Sequence, residues 1–217
     1  MTNKNLSDNL FERKILKNIE EINIYFEKTI LELESALRVY VDGLEYCKEN
    51  RFEILSKLYN TIIHINLLLL DNKTTAKNLI NAKTLWQKLY YIRIFYTIAY
   101  EALDDIPQIT GKDFRTLLST LSNGEKYLQE LKNLSKPLQE FKIKNNDFLK
   151  KVRNITFAHR DHNSELQISL IKLLNWGDAI DLMLSFDPII RGYGQFMQSI
   201  LSDLTNKSDS RNEFLYK

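Results

Sequence analysis

The stretch Lys151-Val-Arg-Asn-Ile-Thr-Phe-Ala-His-Arg-Asp-His162 gathers Arg153, Asn154, His159, Arg160, Asp161 and His162, including two of the three histidines in the chain. Histidine titrates near neutrality, so it can take a proton in one step and return it in the next. Arginine carries a planar fork of donors that grips an oxyanion bidentately. An amide beside it can orient either partner or donate to the same anion. Between residues 142 and 160 stand Lys142, Lys144, Lys150, Lys151, Arg153 and Arg160 against Asp147 alone. That is either a solvated face or a patch that draws phosphate to the one reactive histidine.

Other chemistries fit less well. Asp161 could simply pair with Arg153 and fix a helix end. A metal held by His159, Asp161 and His162 lacks further carboxylates nearby, so no metal is expected. Asp178 and Asp181 are one turn apart and could chelate a cation, although such pairs usually line a solvated face. The chain has no Gly-rich phosphate loop, no Gly-x-Ser-x-Gly and no kinase-like set, and no cofactor is expected.

Helical spacing decides how these residues are presented. Leu138, Phe141, Phe148, Val152 and Ile155 make a three-four apolar stripe interrupted at Asn145, and His159 falls on its next turn. Arg153 and His159 project roughly 120° apart on an ideal helix. They converge only if the helix loosens near Ala158 or if a second copy of the chain completes the site. Asp161, His162 and Asn163 read as a helix exit.

Arg153-Asn154, a short gap, then Ala158-His159-Arg160-Asp161 resembles the Arg-x(4–6)-His motif of the HEPN superfamily. The polar residue after the arginine is the kind favoured by ribonuclease members. The Ala-His-Arg-Asp ending and Leu174-Asn-Trp-Gly-Asp-Ala179 are similar to the abortive-infection U-type branch. The likeness is tight over residues 148–163 and looser over 137–204. It implies an all-α, up-and-down bundle of HEPN type with a long N-terminal helix. It also implies a metal-independent endoribonuclease in bacterial defence or a toxin–antitoxin pair. RNA cleavage by 2′-hydroxyl attack needs a base, an acid and positive charge on the phosphorane, and leaves a 2′,3′-cyclic phosphate.

In that scheme His159 is the acid/base, Arg153 stabilises the phosphate and Asn154 orients the site. Lys150, Lys151 and Arg160 bind substrate, with Asp161 and His162 as auxiliaries. One copy supplies a single well-placed histidine, so a homodimer with facing motif helices is expected. The resemblance also implies a nucleotidyltransferase-type antitoxin that modifies a residue near the motif, yet Ala158-His159-Arg160-Asp161 contains no tyrosine to receive it. The alternative is a non-catalytic helical module using the same groove for RNA, nucleotide or a protein partner.

The elements that must position these residues read as helices. Only six Gly and three Pro in 217 residues leave little room for a turn-rich fold, and 44% hydrophobic content suffices for a sizeable core. A net charge of +2 advertises no polyanion overall. Cys47 is the only cysteine, which excludes an intrachain disulfide. Met1-Thr-Asn-Lys-Asn leads into a charged helix rather than a signal peptide, and no apolar run spans a bilayer, so a cytoplasmic protein without membrane partners is expected.

The periodicity predicts helices over 7–49, capped by Ser7, and over 52–70. Asp71 to Thr75 reads as a polar turn. An aromatic-rich helix covers 82–105 and ends at Pro107 and Gly111, and another covers 112–133 with Gly124 as a weak point. The motif helix opens at Lys136-Pro137. Ser164 caps a helix to Phe186, and Asp187-Pro188 starts the last. His64 on the second helix reads as a core or boundary residue. Trp86, Tyr90, Tyr91, Phe95, Tyr96 and Tyr100 read as bundle filling, with a base-stacking surface as the alternative. Residues 1–207 are expected to form one domain, followed by a polar, disordered tail over 208–217.

Overall fold

The computed structural model describes residue 15, residues 17–158 and residues 163–208. The described residues are all-α, in seven helices and one π-helical turn. These are α1 (Ile19–Glu49), α2 (Glu53–Ile80), α3 (Leu85–Ile109), α4 (Lys112–Ser119) and α5 (Gly124–Arg153). The π turn (Asn154–Ala158), α6 (Ser164–Leu173) and α7 (Trp176–Ser208) follow. No helix among them is long and apolar enough to cross a membrane.

Four long helices make the core. Each buries an apolar stripe at three-four spacing: Leu58, Ile62, Ile65 and Leu69 on α2, and Ile92, Phe95, Ala99, Leu103 and Ile106 on α3. Tyr127, Leu131, Leu138, Phe141, Leu149 and Val152 serve α5, while Ile180, Phe186, Ile190, Tyr193 and Ile200 serve α7. Side chains of this size each contribute about 1.5–3 kcal/mol by leaving water. Contacts run from α2 to α3, α3 to α5, α5 to α7 and back to α2. Lys142 meets Asp104 while Arg93 meets Thr156, and Asn72 meets Asp187 while Gly194 approaches Leu69. The order of those pairs makes neighbours antiparallel, an up-and-down bundle.

α1 lies outside this ring against α2 and buries only Phe26 and Cys47. Polar ties hold it: Asn66 Nδ2 donates to Leu33 O at 2.9 Å, and Asn23 and Asn81 exchange side-chain hydrogen bonds. Arg51, with φ of 60°, makes the turn between the two helices in the left-handed region.

Several expected boundaries are corrected. α2 does not stop at Leu70, because the polar residues that follow have partners on α7. Lys73 Nζ sits 2.7 Å from Asp187 of α7, and Asn72 Nδ2 donates to the same carboxylate at 3.1 Å. Arg191 Nε reaches its other oxygen at 3.0 Å, and the Tyr25 ring lies over the Lys73 ammonium. The prolines do not bound helices either. Pro107, Pro137 and Pro188 lie inside α3, α5 and α7. Beside Pro107, Lys142 Nζ lies 2.7 Å from Asp104 and 3.5 Å from Leu103 O. Gly124 opens α5 instead of weakening an earlier helix, since a Cβ there would come within 2.6 Å of Leu118 O. Asn163, not Ser164, is the cap of α6, its Oδ1 accepting from Leu166 N. α6 ends at Leu173, and α7 is one helix from Trp176. Ser7 and residues 209–217 lie outside the described residues.

Tyr127 ties α5 to α7 by donating to Asp203 at 2.6 Å. Burial first, then that hydrogen bond, push its hydroxyl from an ordinary 10.0 up to about 12. Burial also raises Tyr40, Tyr59 and Tyr193. The fold therefore holds these protons more tightly than the unfolded chain does. Their contribution is complete below pH 10.0 and, for Tyr127, lost as pH rises through about 12. Melting temperatures should fall steeply across that window. Tyr127→Phe should cost about 1 kcal/mol at neutral pH and make the alkaline fall shallower. An unchanged alkaline slope in Tyr127→Phe would exclude Tyr127 as its source.

Candidate functional site

The last turns of α5 differ from the expected stripe by one residue. Leu149, Val152 and Thr156 carry the buried line, while Phe148 is 43% exposed. Its ring still meets the Tyr96 edge, with centroids 5.6 Å apart. Thr156 explains the change of winding beyond Arg153. Its hydroxyl donates to Val152 O at 2.8 Å, a carbonyl the regular ladder also needs, and such back-bonding bends helices. Arg93 of α3 then donates Nη1 to Thr156 O at 3.3 Å. The chain winds as a π turn from Asn154, a form common at functional sites. The helix thus loosens four residues before the expected Ala158.

Arg153 stands at the junction of the two windings. Its Nε donates to Glu101 Oε1 at 2.8 Å, and its Nη1 donates to Asn154 Oδ1 at 3.0 Å. The Tyr100 ring lies 5.7 Å from the guanidinium carbon. The side chain is 25% exposed. A guanidinium has more N–H donors than these two acceptors use, so part of the fork remains to meet an anion. Asn154 supports Arg153 through its hydrogen bond. Lys150 and Lys151, one turn earlier, are exposed. Lys142 is neutralised by Asp104, which trims the positive patch.

His159, Arg160, Asp161 and His162 lie outside the described residues. The chain is next described at Asn163, so these four connect the π turn to the cap of α6. Glu101 is a partner of Arg153 among the described residues, and the expected pairing with Asp161 lies outside them.

Glu101 and Arg93 are site residues that no spacing within the motif helix points to. A signal existed. Glu101, Asp104 and Asp105 cluster near the end of α3 and mirror the cations of α5. Two of these three carboxylates do pair with it. Tyr96 is buried, and burial first, then Asp178, hold its hydroxyl protonated far above neutrality. It is a packing residue rather than a proton carrier. His64 is a boundary residue on α2, with Nε2 3.6 Å from Asp105 Oδ2. Asp178 is exposed at the start of α7, with its N–H capped by Asn175 Oδ1 at 3.0 Å, and Asp181 is exposed one turn on. Among the described residues no three His, Cys, Asp or Glu side chains cluster as a metal site.

Glu101 should act as a positioning residue. Glu101→Ala lets the Arg153 fork swing, and a misplacement of an ångström costs about a hundred-fold in rate. Glu101→Gln keeps an acceptor and should retain most activity. On the expectation of RNA cleavage, single-turnover kinetics would measure both, and equal rates in wild type and Glu101→Ala would exclude the role. No family model matches the chain, and neither a curated protein nor a solved structure matches it.

Proposed function

We propose that the chain is a metal-independent endoribonuclease of HEPN type, acting as a homodimer in bacterial defence or as the toxin of a toxin–antitoxin pair. The observation that carries this reading is Arg153, braced by Glu101 and Asn154 at the point where α5 loosens into a π turn. An arginine held by two neighbours presents the rest of its fork to a phosphate with little ordering cost. Lys150 and Lys151 add positive charge on the approach, and Arg160 extends it. His159 supplies the proton transfers, with Asp161 and His162 as auxiliaries. A facing copy brings a second histidine, so that one acts as base on the 2′-hydroxyl and the other as acid on the leaving 5′-oxygen.

No step in this scheme needs a metal ion. The purified chain, incubated with cellular RNA in EDTA, should leave 2′,3′-cyclic phosphate ends. RNA left intact by a folded, dimeric protein would favour the non-catalytic binding module. That module keeps the same groove and cations for RNA, nucleotide or a protein partner. A nucleotidyltransferase-type antitoxin belongs to the same proposal, and purification with its operon neighbour would reveal it as a modification of the chain.

A further inference from the structure

α1 carries more apolar surface than α2 covers. Ile24, Leu31 and Val39 are 66%, 64% and 62% exposed on it. Seven and then eight residues separate them, so they share one face of the helix, opposite Phe26. Lys28, Ser35, Asp42 and Tyr46 fall within the same arc of about 80° and are exposed too. Tyr46 meets the Phe52 ring, with centroids 6.1 Å apart, and is still 60% exposed. A seven-residue apolar repeat is the spacing at which one long helix lies along another.

Around Ser35 the residues of this face match in pairs. Ile24 and Tyr46 stand eleven residues to either side of it, and Leu31 and Val39 four. Lys28 and Asp42 stand seven to either side, and Glu32 and Arg38 three. A second copy laid antiparallel across a two-fold axis at Ser35 thus brings apolar level with apolar and cation level with anion. A parallel copy in register would set each charge beside its own like. Within one chain the Lys28 ammonium stands 3.9 Å from Glu32 with both side chains largely exposed, a loose pair that leaves room for a second acid. At the ends of the antiparallel pair Glu21 comes level with Glu49, both in open water where salt screens them. Eight acidic residues against three basic ones on α1 also turn a nucleic acid away from this face.

We propose that α1 packs antiparallel on α1 of a second copy of this chain, about a two-fold axis at Ser35. Ile24, Leu31 and Val39 leave water in that contact, and Lys28 of each copy pairs with Asp42 of the other. α1 packs on α2, whereas Arg153 ends α5, which α3 and α7 flank. The contact therefore draws nothing from the motif. A further copy facing the motif would join two such pairs into an assembly of four. The pairing does not rest on the ribonuclease reading.

The test is sedimentation equilibrium of the full chain. At a concentration where wild type is fully associated, Leu31→Glu should halve the particle mass. Lys28→Asp and Asp42→Lys each set like charges together, twice per pair, and should raise the dissociation constant about ten-fold. An equimolar mixture of those two variants should associate again, because every such contact in the mixed pair is opposite in sign. All three side chains are exposed, so circular dichroism should report unchanged helix content. A mixture that stays dissociated overturns the register about Ser35. Equal mass in wild type and all three variants overturns the pairing and leaves facing motif helices as the dimer contact. A monomeric wild type whose melting temperature falls in Leu31→Glu overturns it in favour of cover from within the chain. A paired wild type that cuts no RNA leaves the pairing standing and counts against the nuclease alone.

Discussion

If the proposed ribonuclease reading holds, Arg153→Ala should slow RNA cleavage by about a thousand-fold, and His159→Ala by about as much or more. Removing one preorganised donor from a developing oxyanion costs about a hundred- to a thousand-fold, and removing a general acid or base up to about ten thousand-fold. Unfolding does not explain the arginine loss. Its ion pair with Glu101 is partly exposed, and such pairs contribute about 0–1 kcal/mol. Arg153→Lys is the informative companion. An ammonium can approach Glu101 but cannot grip Glu101, Asn154 and a phosphate as a fork does, so activity returns only in part. Single-turnover cleavage with end-group analysis reads all three. Rates within about three-fold of wild type in either alanine variant would remove that residue from the chemistry.

The largest loss of stability comes from the opposite kind of site. Asp187→Ala leaves the Lys73 ammonium, whose side chain is 5% exposed, with the Tyr25 hydroxyl and ring but no counter-charge, and takes the acceptor from Asn72 and Arg191. Breaking a buried pair by deleting one partner costs about 3–5 kcal/mol. For a chain of this size that is a fall in melting temperature of roughly 6–20 °C. Lys73→Met should cost less, because Asp187 keeps Arg191 and stands 15% exposed. A melting temperature for Asp187→Ala within about 2 °C of wild type would show that the lysine reaches water when its partner is gone.

That cluster also shows where a sequence stops being readable. Asp71-Asn-Lys-Thr-Thr75 looks like a turn because polar residues usually seek water, and only the facing α7 reveals that Lys73 and Asn72 have partners. The prolines mislead for a related reason. Each costs its helix a hydrogen bond, and tertiary packing outweighs that cost in α3, α5 and α7. The all-α class is legible, since helical periodicity is local. Phe148 and Leu149 both fit a three-four pattern, and only the position of α3 turns Leu149 inward and leaves Phe148 exposed. Arg153 and Asn154 were legible by type and spacing. Glu101 acts on Arg153, and Arg93 on the nearby Thr156, from a helix some fifty to sixty residues away, and no spacing rule within one helix points there.

The proline inside α3 has a geometric consequence for the motif helix. Pro107 has no N–H, so the Leu103 carbonyl one turn before it loses its ordinary donor. Lys142 of α5 brings its ammonium to 3.5 Å from that carbonyl while binding Asp104. A gap in one helix thereby serves as a notch for a side chain of the next, and it indexes how far α5 has slid along α3. Arg153 lies further along the same rigid rod, at about 1.5 Å per residue. The bundle thus sets the position of its arginine from a missing amide about three turns away.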